Sequence, residues 1–130
     1  MENISFEEFG QILDEVVESL PQEIFAKLNG GVNLLPAALA HPEGGKEGSL
    51  FILGQYHRGG GLGRYITINY GSFMKLYGGS SRSFVKREIC RVIRHELLHH
   101  LESMAGENDL EIQDAVKLAS YKHRRNVHEN

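Results

Sequence analysis

The chain has one cysteine, no apolar run approaching 18 residues and no excess of basic charge. A lone Cys90 excludes an intrachain disulfide, which fits a reducing compartment. Without a long apolar run, no membrane-spanning helix is expected. The first residues, MENISFEEFGQ, carry acids where a secretory signal needs bases and an apolar stretch, so a cytoplasmic location is expected. Acids number 17 against 14 bases, and the net charge of −3 lacks the electrostatic footprint of a nucleic-acid binder. What is present is 130 residues, 41% hydrophobic and 24% charged, which reads as one soluble domain, 1–130. A chain of that size buries a real core but not a deep binding tunnel.

Local patterns give the element order. Ser5 followed by Glu8 has the form of a helix capping box, and Phe6, Phe9, Ile12, Leu13, Val16, Val17 and Leu20 repeat at helical spacing. Pro21 suits the start of a second short helix, QEIFAKL, stopped by Asn29-Gly30-Gly31. Val32 to Leu35, Leu50 to Tyr56 and Tyr65 to Tyr70 read as strands. In the third of these, Tyr65, Thr67 and Asn69 alternate with Ile66, Ile68 and Tyr70, which predicts one face drier than the other. Ser72 to Tyr77 reads as a helical turn or more, closed by Gly78-Gly79. A long helix is expected from about Ser83 to Ala105, stopped by Gly106. A last one is expected from about Leu110 to Lys122, with Asp109 as N-cap. The fold class is α+β: a small mixed sheet of about three strands with helices packed on it.

Seven histidines are many for this length. They favour a metal site and also make an accidental motif easier, so context decides. Five residues in the long helix matter most: His95-Glu96-Leu97-Leu98-His99. Residues four apart on a helix lie one above the other, so two imidazoles at that spacing can hold one Zn²⁺. On the helix wheel Val85, Ile89, Cys90, Ile93, Leu97, Leu101 and Met104 form one apolar arc. His95, His99, Glu88 and Glu102 fall opposite it, with Glu96 at the border. The helix is thus expected to anchor one side in the core and present His and Glu to a cleft. Zinc on two imidazoles and a carboxylate keeps an open position for water, lowers the pKa of that water to about 7 and polarises a carbonyl. Glu96 is the candidate general base, passing the proton to a leaving amine. Peptide-bond hydrolysis is the reaction that needs this set, with a peptide or protein as substrate.

With its neighbours the motif resembles that of the small zincin-like metallopeptidases, sometimes called minimal metalloproteases. The likeness rests on His95-Glu96-Leu97-Leu98-His99-His100 and on Phe51-Ile52-Leu53-Gly54-Gln55-Tyr56, similar to the Leu-Gly-x-Tyr strand of that group. It spans roughly residues 50–115. It implies a zincin-like α+β fold, a zinc site and a peptidase. In that group a Gly stands three residues after the second His and an Asp three further on. Here those positions hold Glu102 and Ala105, and the Gly and Asp come one helical turn later, as Gly106 and Asp109. The resemblance therefore offers Asp109 as third zinc ligand beside His95 and His99. Four more residues lengthen the helix by about 6 Å, which works against Asp109. Glu102, on the ligand face, and Glu111 and Asp114, on the following segment, stay open as alternatives.

Other features carry less. His100 is turned 100° from His99 toward the core arc and reads as a hydrogen-bonded supporting residue. Glu88 either orients an imidazole or pairs with Arg91. Gly59-Gly60-Gly61-Leu62-Gly63-Arg64 lacks the Gly-Lys-Ser/Thr ending of a phosphate loop and precedes a strand, so it reads as a hairpin connection and a rim over the cleft. His41, His57, His123 and His128 lack a partner at metal spacing and read as surface residues. Lys122-His123-Arg124-Arg125 reads as a solvated terminus. Tyr65, Tyr70 and Tyr77 are expected in the core or on strand faces, any one of them open to an oxyanion-stabilising role. The strand Tyr65–Tyr70 is expected to offer an edge to which an extended peptide adds. The alternative to a peptidase is a non-catalytic zinc- or peptide-binding module on the same scaffold.

Overall fold

Helix α1, Phe6–Ser19, begins where the Ser5 hydroxyl accepts the Glu8 N–H at 3.1 Å, satisfying one of the helix's orphan donors. Its Phe9, Ile12, Leu13 and Val16 are buried, as the 3,4 spacing predicts. A 3-10 turn, Gln22–Phe25, stands where a short helix was expected. Three strands follow: β1 Gly31–Leu35, β2 Gly54–His57 and β3 Tyr65–Asn69. Helix α2, Tyr70–Tyr77, leads to the long helix α3, Arg82–Ala105, capped by the Ser81 hydroxyl on the Phe84 N–H. The computed structural model describes residues 3–42 and 50–106. The expected helix 110–122, the basic segment 122–125 and the candidate ligands Asp109, Glu111 and Asp114 lie outside them.

The sheet runs β1-β3-β2, with β1 parallel and β2 antiparallel to β3. This is the small mixed sheet of an α+β fold. One expectation is overturned here. The strand Tyr65–Tyr70 offers no free edge, because β3 is central and paired on both sides, Val32 and Tyr56 each opposite Ile66. Burial goes with the central place: Ile66 and Ile68 are wholly buried, and Thr67 and Asn69 on the other face are buried as well. Asn69 completes its bonding through its side-chain amide to the Ile52 carbonyl, 3.0 Å. Among the described residues the outer strands are β1 and β2.

The strand expected over Leu50–Tyr56 is broken in two. Phe51 bridges to Ala40, and Ile52 donates its N–H to the Leu39 carbonyl, so only Gly54–His57 pairs with β3. Helix α2 starts at Tyr70, two residues before the expected Ser72. The Gly78 N–H closes it on the Met74 carbonyl, 2.9 Å.

The register puts Val32, Leu34, Gly54, Tyr56, Ile66 and Ile68 on one sheet face. Helices α1 and α3 share the core with it, through Phe9, Ile12, Val85, Ile89, Ile93, Leu97 and Leu101. Phe9 meets Phe73 edge-on, ring centres 5.1 Å apart, and joins α2 to the same core. Outside the core, Glu15 pairs with Arg82 and Lys86 and ties α1 to the start of α3.

Candidate active site

Helix α3 lies close beside β2 because of one residue. A Cβ on Gly54 would sit 2.7 Å from Val92 Cγ1 and 3.0 Å from Ile68 Cδ1. Glycine alone lets strand and helix approach that closely. The contact sets the alignment that follows: Gly54 faces Val92, Tyr56 reaches Glu96 and His100, and Arg58 reaches Ser103. Strand and helix thus run side by side in the same direction.

His95 and His99 are both exposed on the outer side of α3. Their Nε2 atoms approach to 3.1 Å with the rings nearly perpendicular, at 87°. Two nitrogens about 2.0–2.1 Å from a tetrahedral ion stand about 3.3 Å apart. The pair as folded therefore fits two corners of a zinc tetrahedron. Among the described residues no three His, Cys, Asp or Glu side chains come together as a ligand group. Glu102 is exposed on α3 outside the pair. Asp109 stands beyond the described residues.

The inner side of the same turns is buried. Glu96 is 9% exposed, and its carboxyl accepts the backbone N–H of Tyr56. Burial raises its pKa above the ordinary value, and the charge of His99 and the Tyr56 hydrogen bond act in the opposite direction. A carboxylate lifted this way is a stronger base.

His100 is fully buried next to it. Its Nε2 lies 2.8 Å from the Ala26 carbonyl, and its Nδ1 lies 2.9 Å from the Tyr56 hydroxyl. A carbonyl only accepts, so Nε2 carries the proton and Nδ1 accepts from the phenol. Burial depresses the pKa of His100, keeping the ring neutral. This matches the supporting role expected from its place beside the apolar arc.

Tyr56 entered the sequence reading as the Tyr of the Leu-Gly-x-Tyr strand, without a role. Its backbone N–H holds the Glu96 carboxyl while its hydroxyl holds His100. The signal was there: Gly54 and Tyr56 are two apart, so on a strand both face the helix. The outward direction of its N–H follows from the ladder. The Leu53 carbonyl bonds the Asn69 N–H, and Gln55 and His57 stand opposite Thr67 and Tyr65, so alternation turns Gly54 and Tyr56 toward the free edge.

Other expectations resolve simply. Glu88 pairs with Arg91 at 3.1 Å and accepts the Tyr77 hydroxyl, so it orients no imidazole. The Tyr70 hydroxyl donates to the Ile4 carbonyl. Tyr70 and Tyr77 thus have their hydroxyls committed elsewhere. His57 is more than a surface residue: it stacks on Tyr65 at 4.5 Å and bonds Thr67 Oγ1 at 2.9 Å. The glycine-rich connection turns through positive φ at Gly59, Gly60 and Gly63, which glycine tolerates. No helix among the described residues is long and apolar enough to cross a membrane.

No family model matches the chain, and no curated protein does. A solved structure does: a conserved hypothetical protein from Thermus thermophilus, 32% identical, with a TM-score of 0.68. The match covers 79% of this chain and 99% of that one. At that identity, over nearly the whole of the thermophile's chain, the present chain belongs to the family of that conserved hypothetical protein.

Proposed function

We propose that the protein is a zinc-dependent peptidase with a zincin-like fold. The observation that carries the reading is the meeting of His95 and His99 Nε2 at 3.1 Å beside a buried, hydrogen-bonded Glu96. His95 and His99 would hold zinc, with Asp109 the ligand that the family resemblance offers as third. When bound, zinc supplies Lewis acidity toward a carbonyl and a water of lowered pKa. Glu96, one residue from His95, takes the proton and returns it to the leaving amine. The Tyr56 N–H keeps one carboxyl oxygen in place and leaves the other for the proton. The outward side of β2 suits an extended peptide lying alongside it, with the Tyr56 N–H kept by Glu96.

The test is Glu96→Gln. It keeps the shape and the Tyr56 hydrogen bond and removes the base. The variant is expected to bind zinc as the parent does and to lose peptide hydrolysis by about 10³-fold, measured by metal content and by mass spectrometry of a peptide mixture. Turnover retained in that variant overturns the mechanism.

A second reading is favoured by one observation: the Gly and Asp of the resembled pattern stand one helical turn late, as Gly106 and Asp109. On that reading the chain is a zinc- or peptide-binding module without turnover. Stoichiometric zinc with no product from any peptide mixture decides for it.

A further inference from the structure

The glycine-rich connection after β2 is built against α3 at one point. Arg58, the first residue beyond the strand, donates from Nη1 to the Ser103 hydroxyl at 3.0 Å. Ser103 is four residues past His99, so it lies on the same side of the helix, one turn on. The guanidinium is exposed. Among the described residues it makes no ion pair, and the hydroxyl is the partner the structure gives it. An arginine has five donors in a planar fork suited to a carboxylate, and one neutral hydroxyl leaves most of that capacity open.

Element geometry gives the spacing along α3 and along an extended peptide. One helical turn from His99 to Ser103 is about 6 Å along α3. An extended peptide advances about 3.3 Å per residue and returns a side chain to the same face every second residue. A peptide lying along the outward edge of β2 ends its run at Arg58, because β2 and α3 are aligned side by side up to that residue. The side chain about two residues from the bond at His95 and His99 therefore comes to the guanidinium.

We infer that Arg58 is a specificity residue of this site, selecting peptides with a carboxylate about two residues from the bond to be cut. The inference rests on the peptidase reading for the position of the bond, and on the Arg58–Ser103 contact for the charge. The contact with Ser103 shortens the ordering that binding requires, since the guanidinium already stands at the rim. Because the guanidinium is exposed, the selection is modest and weakens with salt.

The experiment uses the full-length, zinc-loaded protein and its Arg58→Ala, Arg58→Lys and Arg58→Glu variants, each checked for an unchanged thermal transition. The probe is a pool of capped octapeptides in which Asp, Asn, Lys or Ala rotates through every position. Cleaved peptides are counted by mass spectrometry, and retained peptides are counted by ultrafiltration in a Glu96→Gln background. The expected result is a three- to tenfold preference for Asp over Asn at one position, about two residues from the cut. It should be kept in Arg58→Lys, lost in Arg58→Ala, turned toward Lys in Arg58→Glu, and reduced at high salt. Cleavage without that preference, or with a preference Arg58→Ala leaves intact, overturns the inference and spares the peptidase reading. An Arg58-dependent Asp preference among retained peptides, with no cleavage by the parent, supports carboxylate selection by Arg58 and overturns its placement two residues from a cut, together with the peptidase reading. No retention and no cleavage overturns both.

Discussion

The two sides of α3 carry the same residue types in opposite circumstances. On the outer side, His95 and His99 are exposed and meet each other at their Nε2 atoms. On the inner side, His100 and Glu96 are buried, and their polar atoms are bonded to β2 and to the 3-10 turn. His99 and His100 are adjacent in sequence, yet one is exposed and the other is buried with both ring nitrogens bonded. A helix thus presents a histidine pair on its outside by what it fixes on its inside. Inner-side changes should then act on stability and outer-side changes on metal.

The strongest test of that division is His100→Ala. It leaves the Tyr56 hydroxyl and the Ala26 carbonyl without their partner and opens a cavity, and it should cost about 2–4 kcal/mol in urea unfolding. A cost under about 1 kcal/mol would erase the division. Next, Gly54→Ala puts a Cβ 2.7 Å from Val92 Cγ1 and should cost about 1–3 kcal/mol as β2 and α3 are pushed apart. Zinc affinity should fall with it, even though Gly54 is no ligand.

Glu96→Gln should act in the other direction on the metal-free protein. The folded pKa of Glu96 is raised above 4.5, so the folded state holds the proton more tightly than the unfolded chain. Its contribution is fully favourable below 4.5 and is lost as pH rises through the raised value. A neutral amide escapes that loss, so the variant should melt higher than the parent at pH 7 and lose the advantage below 4.5, read by calorimetry. The smallest effect on stability belongs to His99→Ala, within about 0.5 kcal/mol of the parent. That same change should weaken zinc binding by more than about 100-fold, beyond the range of an outer-shell partner. A large loss of stability there would remove the contrast between the two sides.

The sequence carried the elements with strong periodicity. Helix α1 and helix α3 follow their apolar spacing, and their caps, Ser5 and Ser81, bond as such residues do. It carried the aim of His95 and His99, because spacing on one helix is local geometry. Contacts between distant segments were not legible. Nothing in YITINY says that it has neighbours on both sides, since the partner strands are chosen by the whole packing. The break of Leu50–Tyr56 into a bridge and a strand comes from Leu39 and Asn69, which bond it from far along the chain. The role of Tyr56 was not legible because its chief contribution to Glu96 is a backbone N–H, which every residue but proline has.

Bonding through the main chain also governs how the site tolerates change over generations. Two of the bonds that fix the inner side end on main-chain atoms, the Ala26 carbonyl and the Tyr56 amide. No side-chain substitution at position 26 removes the first, and only proline at position 56 removes the second. The mutable ends are the His100 ring and the Tyr56 phenol. Drift around the site thus has few ways to unseat Glu96: beyond Glu96 itself, the side chains that change its setting are His100 and Tyr56.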